Sequence, residues 1–271
     1  MLLLFKDYYG FSKNPFDKQS LSEKDAFHSK DYKEMTSRLA FLNGTRGIGV
    51  FTSAPGFGKT YALRCFAKSL DRNLNEMAYV CLSTVSLMEF YRQLCAALGI
   101  DALGRKPAMF RAIQDRLFHL FKEKRKPFLL ICDEAHELST NILNDLKLIM
   151  NYDFDSLNCF TLVLIGEPHL NKNLEKSIHE ALRQRIAIHY SFAGLSDSET
   201  EQYLRHKLRI AGAPESILGD GTLPAIIGFA NGCPRLIDNL MNEALLLGAQ
   251  LDKKFLDTEV FLAAVNNLAL S

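Results

Sequence analysis

Apolar residues recur through the first 192 positions in two alternating textures. Short β-rich or apolar runs, Gly47 to Thr52, Met77 to Leu82, Phe128 to Cys132 and Phe160 to Ile165, predict strands, and the last two lack strict alternation, as expected when both faces of a sheet are covered. Between them lie stretches of helical spacing. Tyr32, Met35, Leu39 and Leu42 mark a helix from Lys30 to Asn43. Phe110, Ile113, Leu117, Leu120 and Phe121 share one face of a helix from Pro107 to Lys124, and Lys59 to Leu70 and Leu87 to Leu98 read the same way. Strands alternating with helices of these lengths predict an α/β fold, a parallel sheet flanked by helices.

After residue 192 only helical signals remain: Ser196 to Ala211, Leu223 to Ala230, Pro234 to Ala249 and Asp257 to Leu268. The breaks between them fall at Ala213-Pro214, Gly219-Asp220-Gly221 and Gly232-Cys233-Pro234. The predicted organisation is an α/β domain over residues 1–192, with an irregular N-terminal extension, and a small all-α domain over 193–271.

Composition narrows the function classes. The 271 residues are 48% hydrophobic and 23% charged, and the formal net charge is +1. That balance excludes a chain that is basic throughout and a disordered acidic one. It still permits a local basic surface, because residues 1–192 carry +5 and residues 193–271 carry −4. Apolar runs such as Leu162 to Ile165 fall far short of the roughly 18 residues of a membrane span. The start, Met-Leu-Leu-Leu-Phe followed by Lys6 and Asp7, does not read as a signal peptide. Six cysteines (65, 81, 95, 132, 159 and 233) are widely spaced, never as CxxC, and are expected to be reduced. The expectation is a cytoplasmic protein with no membrane segment.

The sharpest motif is Ser53-Ala54-Pro55-Gly56-Phe57-Gly58-Lys59-Thr60, between a predicted strand and a predicted helix. It matches the phosphate-binding P-loop except for Ser53 at the first Gly position. Small residues let successive backbone N–H groups turn inward around phosphates, and the helix N-terminus adds its positive end. Lys59 is expected on the β- and γ-phosphates of ATP and the Thr60 hydroxyl on Mg²⁺, with Tyr61 next in the helix. Asp133 and Glu134 end an apolar strand. Asp133 is the candidate second metal residue, and Glu134 the candidate base that polarises the attacking water. Asp133 to His136 also spell a helicase-type DEAH box. The chain is too short for two tandem motor domains, so His136 is read as a helix-start or supporting residue.

Further along, Gly166-Glu167-Pro168 follows the next strand and makes Glu167 the candidate sensor of the γ-phosphate or attacking water. The stretch Glu180 to Ile186 offers Arg183 and Arg185. Either is a candidate to stabilise transition-state charge in a neighbouring subunit, with Arg185 preferred. Arg235, in Gly232-Cys233-Pro234-Arg235, is placed to fold back on the nucleotide.

With these elements in order, the sequence resembles the AAA+ ATPases, closest to the group of ExeA-like secretion ATPases and TnsC/MuB/TniB-type transposition helpers. Tyr9-Gly10-Phe11 and Asn14-Pro15-Phe16 are similar to that group's N-terminal signature. The resemblance implies that the five later elements are Walker A, Walker B, sensor 1, arginine finger and sensor 2. Glu167 departs from the neutral polar residue usual at its place. The resemblance implies ATP-dependent assembly into rings or helical filaments, with ATP between subunits and the helical domain as a lid. The transposition helpers coat double-stranded DNA and recruit a transposase. The secretion relatives add a transmembrane segment and a periplasmic domain, which this sequence does not show, so the expected match is the transposition helper. Arg105 and Lys106, after Gly104 in a predicted loop, are the candidate DNA contacts. Phosphate-only contacts would make binding sequence-independent and salt-sensitive. An ATPase that assembles a secretion or cell-envelope complex without DNA is the alternative.

Overall fold

A computed structural model describes residues 5–17, 22–71, 73–81, 86–101 and 104–269. Five strands form one parallel sheet: β1 (Gly47–Thr52), β2 (Glu76–Cys81), β3 (Phe128–Asp133), β4 (Thr161–Gly166) and β5 (Ile186–Ser191). Their order is β2-β3-β4-β1-β5. The helices of four or more residues are α1 (Phe5–Tyr9), α2 (Lys30–Thr45), α3 (Lys59–Ser69), α4 (Leu87–Ala97), α5 (Lys106–Lys122) and α6 (Thr140–Ile149). They continue with α7 (His169–Leu174), α8 (Glu180–Arg183), α9 (Asp197–Ile210), α10 (Thr222–Ala230), α11 (Pro234–Gln250) and α12 (Thr258–Ala269).

The chain packs as two compact units. One comprises residues 34–55 and 59–192, the other residues 1–33, 56–58 and 193–271. In the α/β unit, every residue of β1, β3 and β4 is buried, as uninterrupted apolar runs require when helices cover both faces. The edge strands β2 and β5 bury only some of their residues. The core gathers Ile48, Val50, Leu130 and Leu164 from the sheet with Tyr91, Leu94, Ile113 and Leu146 from the helices. Each such fully buried side chain contributes roughly 1.5–3 kcal/mol.

The helical unit has its own core, including Leu204, Leu208, Ile237, Leu240, Met241 and Phe261. The described residues before 34, expected as an extension of the first domain, group with this unit instead. Phe11 and Phe16 are buried in its core. The Lys207 ammonium donates to the Pro15 carbonyl (2.8 Å), and the Asn242 amide donates to the Phe16 carbonyl (3.3 Å). Asn14-Pro15-Phe16 is therefore an anchoring segment. Among the described residues no helix is long and apolar enough to cross a membrane.

Candidate active site

The order of the strands decides what meets at their C-terminal ends. Because β4 lies between β1 and β3, the Gly166–Glu167 turn stands between the Ser53 loop and the Asp133–Glu134 strand end. The Ser53 N–H donates to the Gly166 carbonyl (3.2 Å), closing the loop against β4.

Within the loop, positive φ falls on Gly56 (87°) and Gly58 (93°), the two positions where glycine tolerates it freely. Ser53 is not among the positive-φ residues, which is why serine is accepted at the first position. It also has a task. The Lys59 ammonium donates to Ser53 O (2.8 Å), Ser53 Oγ (2.8 Å) and Ala54 O (3.3 Å). The loop thus holds the lysine charge over its own oxygens, where phosphate oxygens would compete for it.

Helix α3 starts at Lys59 and points the Thr60 hydroxyl at β3. Thr60 Oγ1 donates to Asp133 Oδ2 (3.1 Å). Asp133 is 3% exposed, and accepts also from the Tyr79 hydroxyl (2.8 Å) and the Glu134 N–H (3.0 Å). Three donors offset the cost of burying its charge. Tyr79 in turn has its pKa raised, by burial first and then by its bond to the Asp133 carboxylate. Thr60 and Asp133 together are hard oxygen donors one hydrogen bond apart, a set that suits Mg²⁺. Bound there, the cation would neutralise charge on the β- and γ-phosphates.

Glu134 adopts a left-handed conformation (φ 54°, ψ 35°), costly for a residue with a side chain. Its carboxylate is half exposed, and Oε2 lies 3.4 Å from His136 Nδ1. The strand end therefore separates two acids by environment. Asp133 is buried and bonded; Glu134 faces solvent, where a base for water belongs. Glu167 is partly buried, its Oε2 3.7 Å from His169 Nδ1 and its N–H donating to His136 Nδ1 (3.2 Å).

Other predicted residues lie elsewhere. Arg185 immediately precedes β5, so it sits at the N-terminal end of the sheet, a strand length of about 17 Å from the loop end. Its guanidinium donates to the Lys147 carbonyl (3.1 Å), and that of Arg183 to the Glu175 carbonyl (2.9 Å). Neither reaches the Lys59 and Asp133 of its own sheet. Lys106 is not a free loop cation. It opens α5 and pairs with the buried Asp145 (2.6 Å), which also accepts from Tyr91 (2.9 Å). Arg105 is exposed just before it. In the helical unit, the Arg235 N–H donates to the Gly56 carbonyl (3.3 Å), and a Cβ on Gly56 would lie 2.8 Å from Arg235 Cβ. A glycine there permits the contact.

Sequence reasoning missed Tyr79 and Asn171. Tyr79 alternates outward on an edge strand, so nothing local distinguishes it. Asn171 Nδ2 donates to Thr52 Oγ1 (3.2 Å), and its Oδ1 pairs with His189 Nε2 (3.0 Å), a link only the sheet order creates.

Residues 42–174 match the family model described as an AAA domain. General secretion pathway protein A of Aeromonas hydrophila is 27% identical over 265 residues, 96% of this chain and 48% of that protein. ATP-dependent target DNA activator B of Escherichia phage Mu is 29% identical over 143 residues, 52% of this chain and 42% of that protein. The chain thus spans about half the length of the curated relatives it matches. Cdc6p from Pyrobaculum aerophilum shares the fold at a TM-score of 0.70 and 16% identity, covering 93% of this chain and 70% of its own. With the sheet order, the phosphate loop and the acidic strand end in agreement, residues 42–174 carry an AAA domain and the chain resembles the P-loop AAA+ ATPases.

Proposed function

We propose that this protein is a Mg²⁺-dependent ATPase whose nucleotide state governs its assembly on double-stranded DNA, where it recruits a transposase. The observation that carries the ATPase reading is the contact of Thr60 with Asp133 beside the solvent-facing Glu134. Lys59 and Thr60 bind the phosphates and metal, and Glu134 polarises water. Glu167 reports the γ-phosphate, and Arg235 relays nucleotide state to the helical unit. The position of Arg185 and Arg183 away from their own phosphate loop supports a role at a neighbour's site, in a homo-oligomeric ring or filament.

The DNA part is supported by the likeness to the phage activators and by exposed cations before, within and after α5. Arg105 remains a candidate contact, joined by Arg111, Lys122, Lys124 and Arg125, all exposed. Lys106 contributes less, since Asp145 already neutralises it. A second reading is an ExeA-like ATPase that powers assembly of a secretion or envelope complex without DNA. The likeness over 96% of the chain favours it. Retention of random duplex DNA on a filter, at low salt with ATP and without, separates the two. ATP-dependent retention that falls steeply with salt is the expected result, and its absence favours the second reading.

A further inference from the structure

One peptide group ties the two halves of the candidate active site together. Its carbonyl, that of Gly166, accepts from Ser53 at the start of the phosphate loop, and its N–H, that of Glu167, donates to His136 Nδ1. His136 therefore stands at the end of a chain of contacts that runs from the loop holding Lys59 to the residue beside Glu134. Its side chain is 7% exposed, with His169 edge-on at 4.4 Å. Gly166 makes the approach possible: a Cβ there would lie 3.1 Å from the His136 backbone nitrogen and 3.2 Å from Nδ1.

The hydrogen bond fixes the tautomer. Nδ1 offers its lone pair to the Glu167 amide, so the ring proton is on Nε2, which lies 3.3 Å from Glu137 Oε1. This also decides against a cation site. His136, Glu137 and His169 bring ligand atoms within 4.8 Å of one another, but Nε2 with its proton has no lone pair for a metal. With Nδ1 committed to the amide, the ring cannot donate to Glu134 Oε2 at 3.4 Å, and the carboxylate stays available to water.

We infer that His136 is a positioning residue for hydrolysis: it locks the β3 turn that aims Glu134 to the β4 turn that closes the phosphate loop. The inference rests on the ATPase reading above. A base displaced by about 1 Å loses on the order of 10²-fold in rate. His136→Ala is therefore expected to lower kcat by about that factor with KM for ATP unchanged. His136→Asn, which returns an acceptor at the Nδ1 position, restores most of the rate. His136→Gln, which places its polar atoms at the Nε2 position, does not.

A long-range ¹H–¹⁵N correlation spectrum of the wild type should show the Nε2–H tautomer. The Nδ1–H tautomer, equal rates in all three variants, or equal losses without rescue by Asn would each overturn the assignment. A wild type that releases no phosphate with Mg²⁺ and ATP would instead overturn the ATPase reading, and this inference with it.

Discussion

Glu134 and Ser53 show how single positions carry the site. A left-handed glutamate at the end of a buried strand is an unfavourable choice for folding alone, and its carboxylate is half exposed where the neighbouring aspartate is buried. Ser53 replaces a glycine without strain and gives Lys59 a hydroxyl to rest on. His179 is a different kind of residue. It is 1% exposed, and its Nδ1 has no hydrogen-bond partner among the described residues. Burial first, then Lys176 and Lys147, lower its pKa below the ordinary 6.5. The unfolded chain then binds a proton that the folded one refuses. Stability is full above pH 6.5 and declines as pH falls from 6.5 toward the lowered value. Melting temperatures measured from pH 7.5 down to 5.5 are expected to fall less for His179→Gln than for the wild type. Parallel curves would contradict this.

At the level of elements, the central strands were the most legible part of the chain. Continuous apolar runs at Gly47 to Thr52, Phe128 to Cys132 and Phe160 to Ile165 have one stable placement, inside a sheet covered on both faces. Leu130→Ala, on β3 at 0% exposure, is expected to cost about 2–5 kcal/mol in denaturant unfolding. The four helices after residue 192 were legible for a similar reason, since each carries a full apolar face between strong breaks. Strand β5 was not. Its sequence Ile-Ala-Ile-His-Tyr-Ser mixes polar and apolar positions because it lies at the sheet edge, where pairing rather than burial makes the strand. Phosphate loop and acidic strand end were legible because their chemistry demands particular residues at fixed spacing. The Gly166–Glu167 link to His136 was not, because it depends on β4 lying between β1 and β3.

For the molecule as a whole, a net charge of +1 hides two stretches of opposite sign, and the positive one, residues 1–192, contains the sheet and the phosphate loop. The same chain holds Lys59 at one end of the sheet and Arg185 at the other, so catalysis by both requires two copies. Lys59→Ala and Arg185→Ala proteins are each expected to be inactive, and their mixture to recover part of the wild-type phosphate release. A mixture as inactive as its parts would place Arg185 outside the site, and the same pairing with Arg183→Ala would then decide between the two arginines. The claim on which the rest depends is that Glu134 activates water for ATP hydrolysis. Phosphate release and binding of a fluorescent ATP analogue, measured side by side with Mg²⁺ for the wild type and Glu134→Gln, test it most directly. The variant is expected to bind nucleotide as tightly as the wild type and to lose about 10²–10⁴-fold in turnover; hydrolysis at the wild-type rate would overturn the role of Glu134.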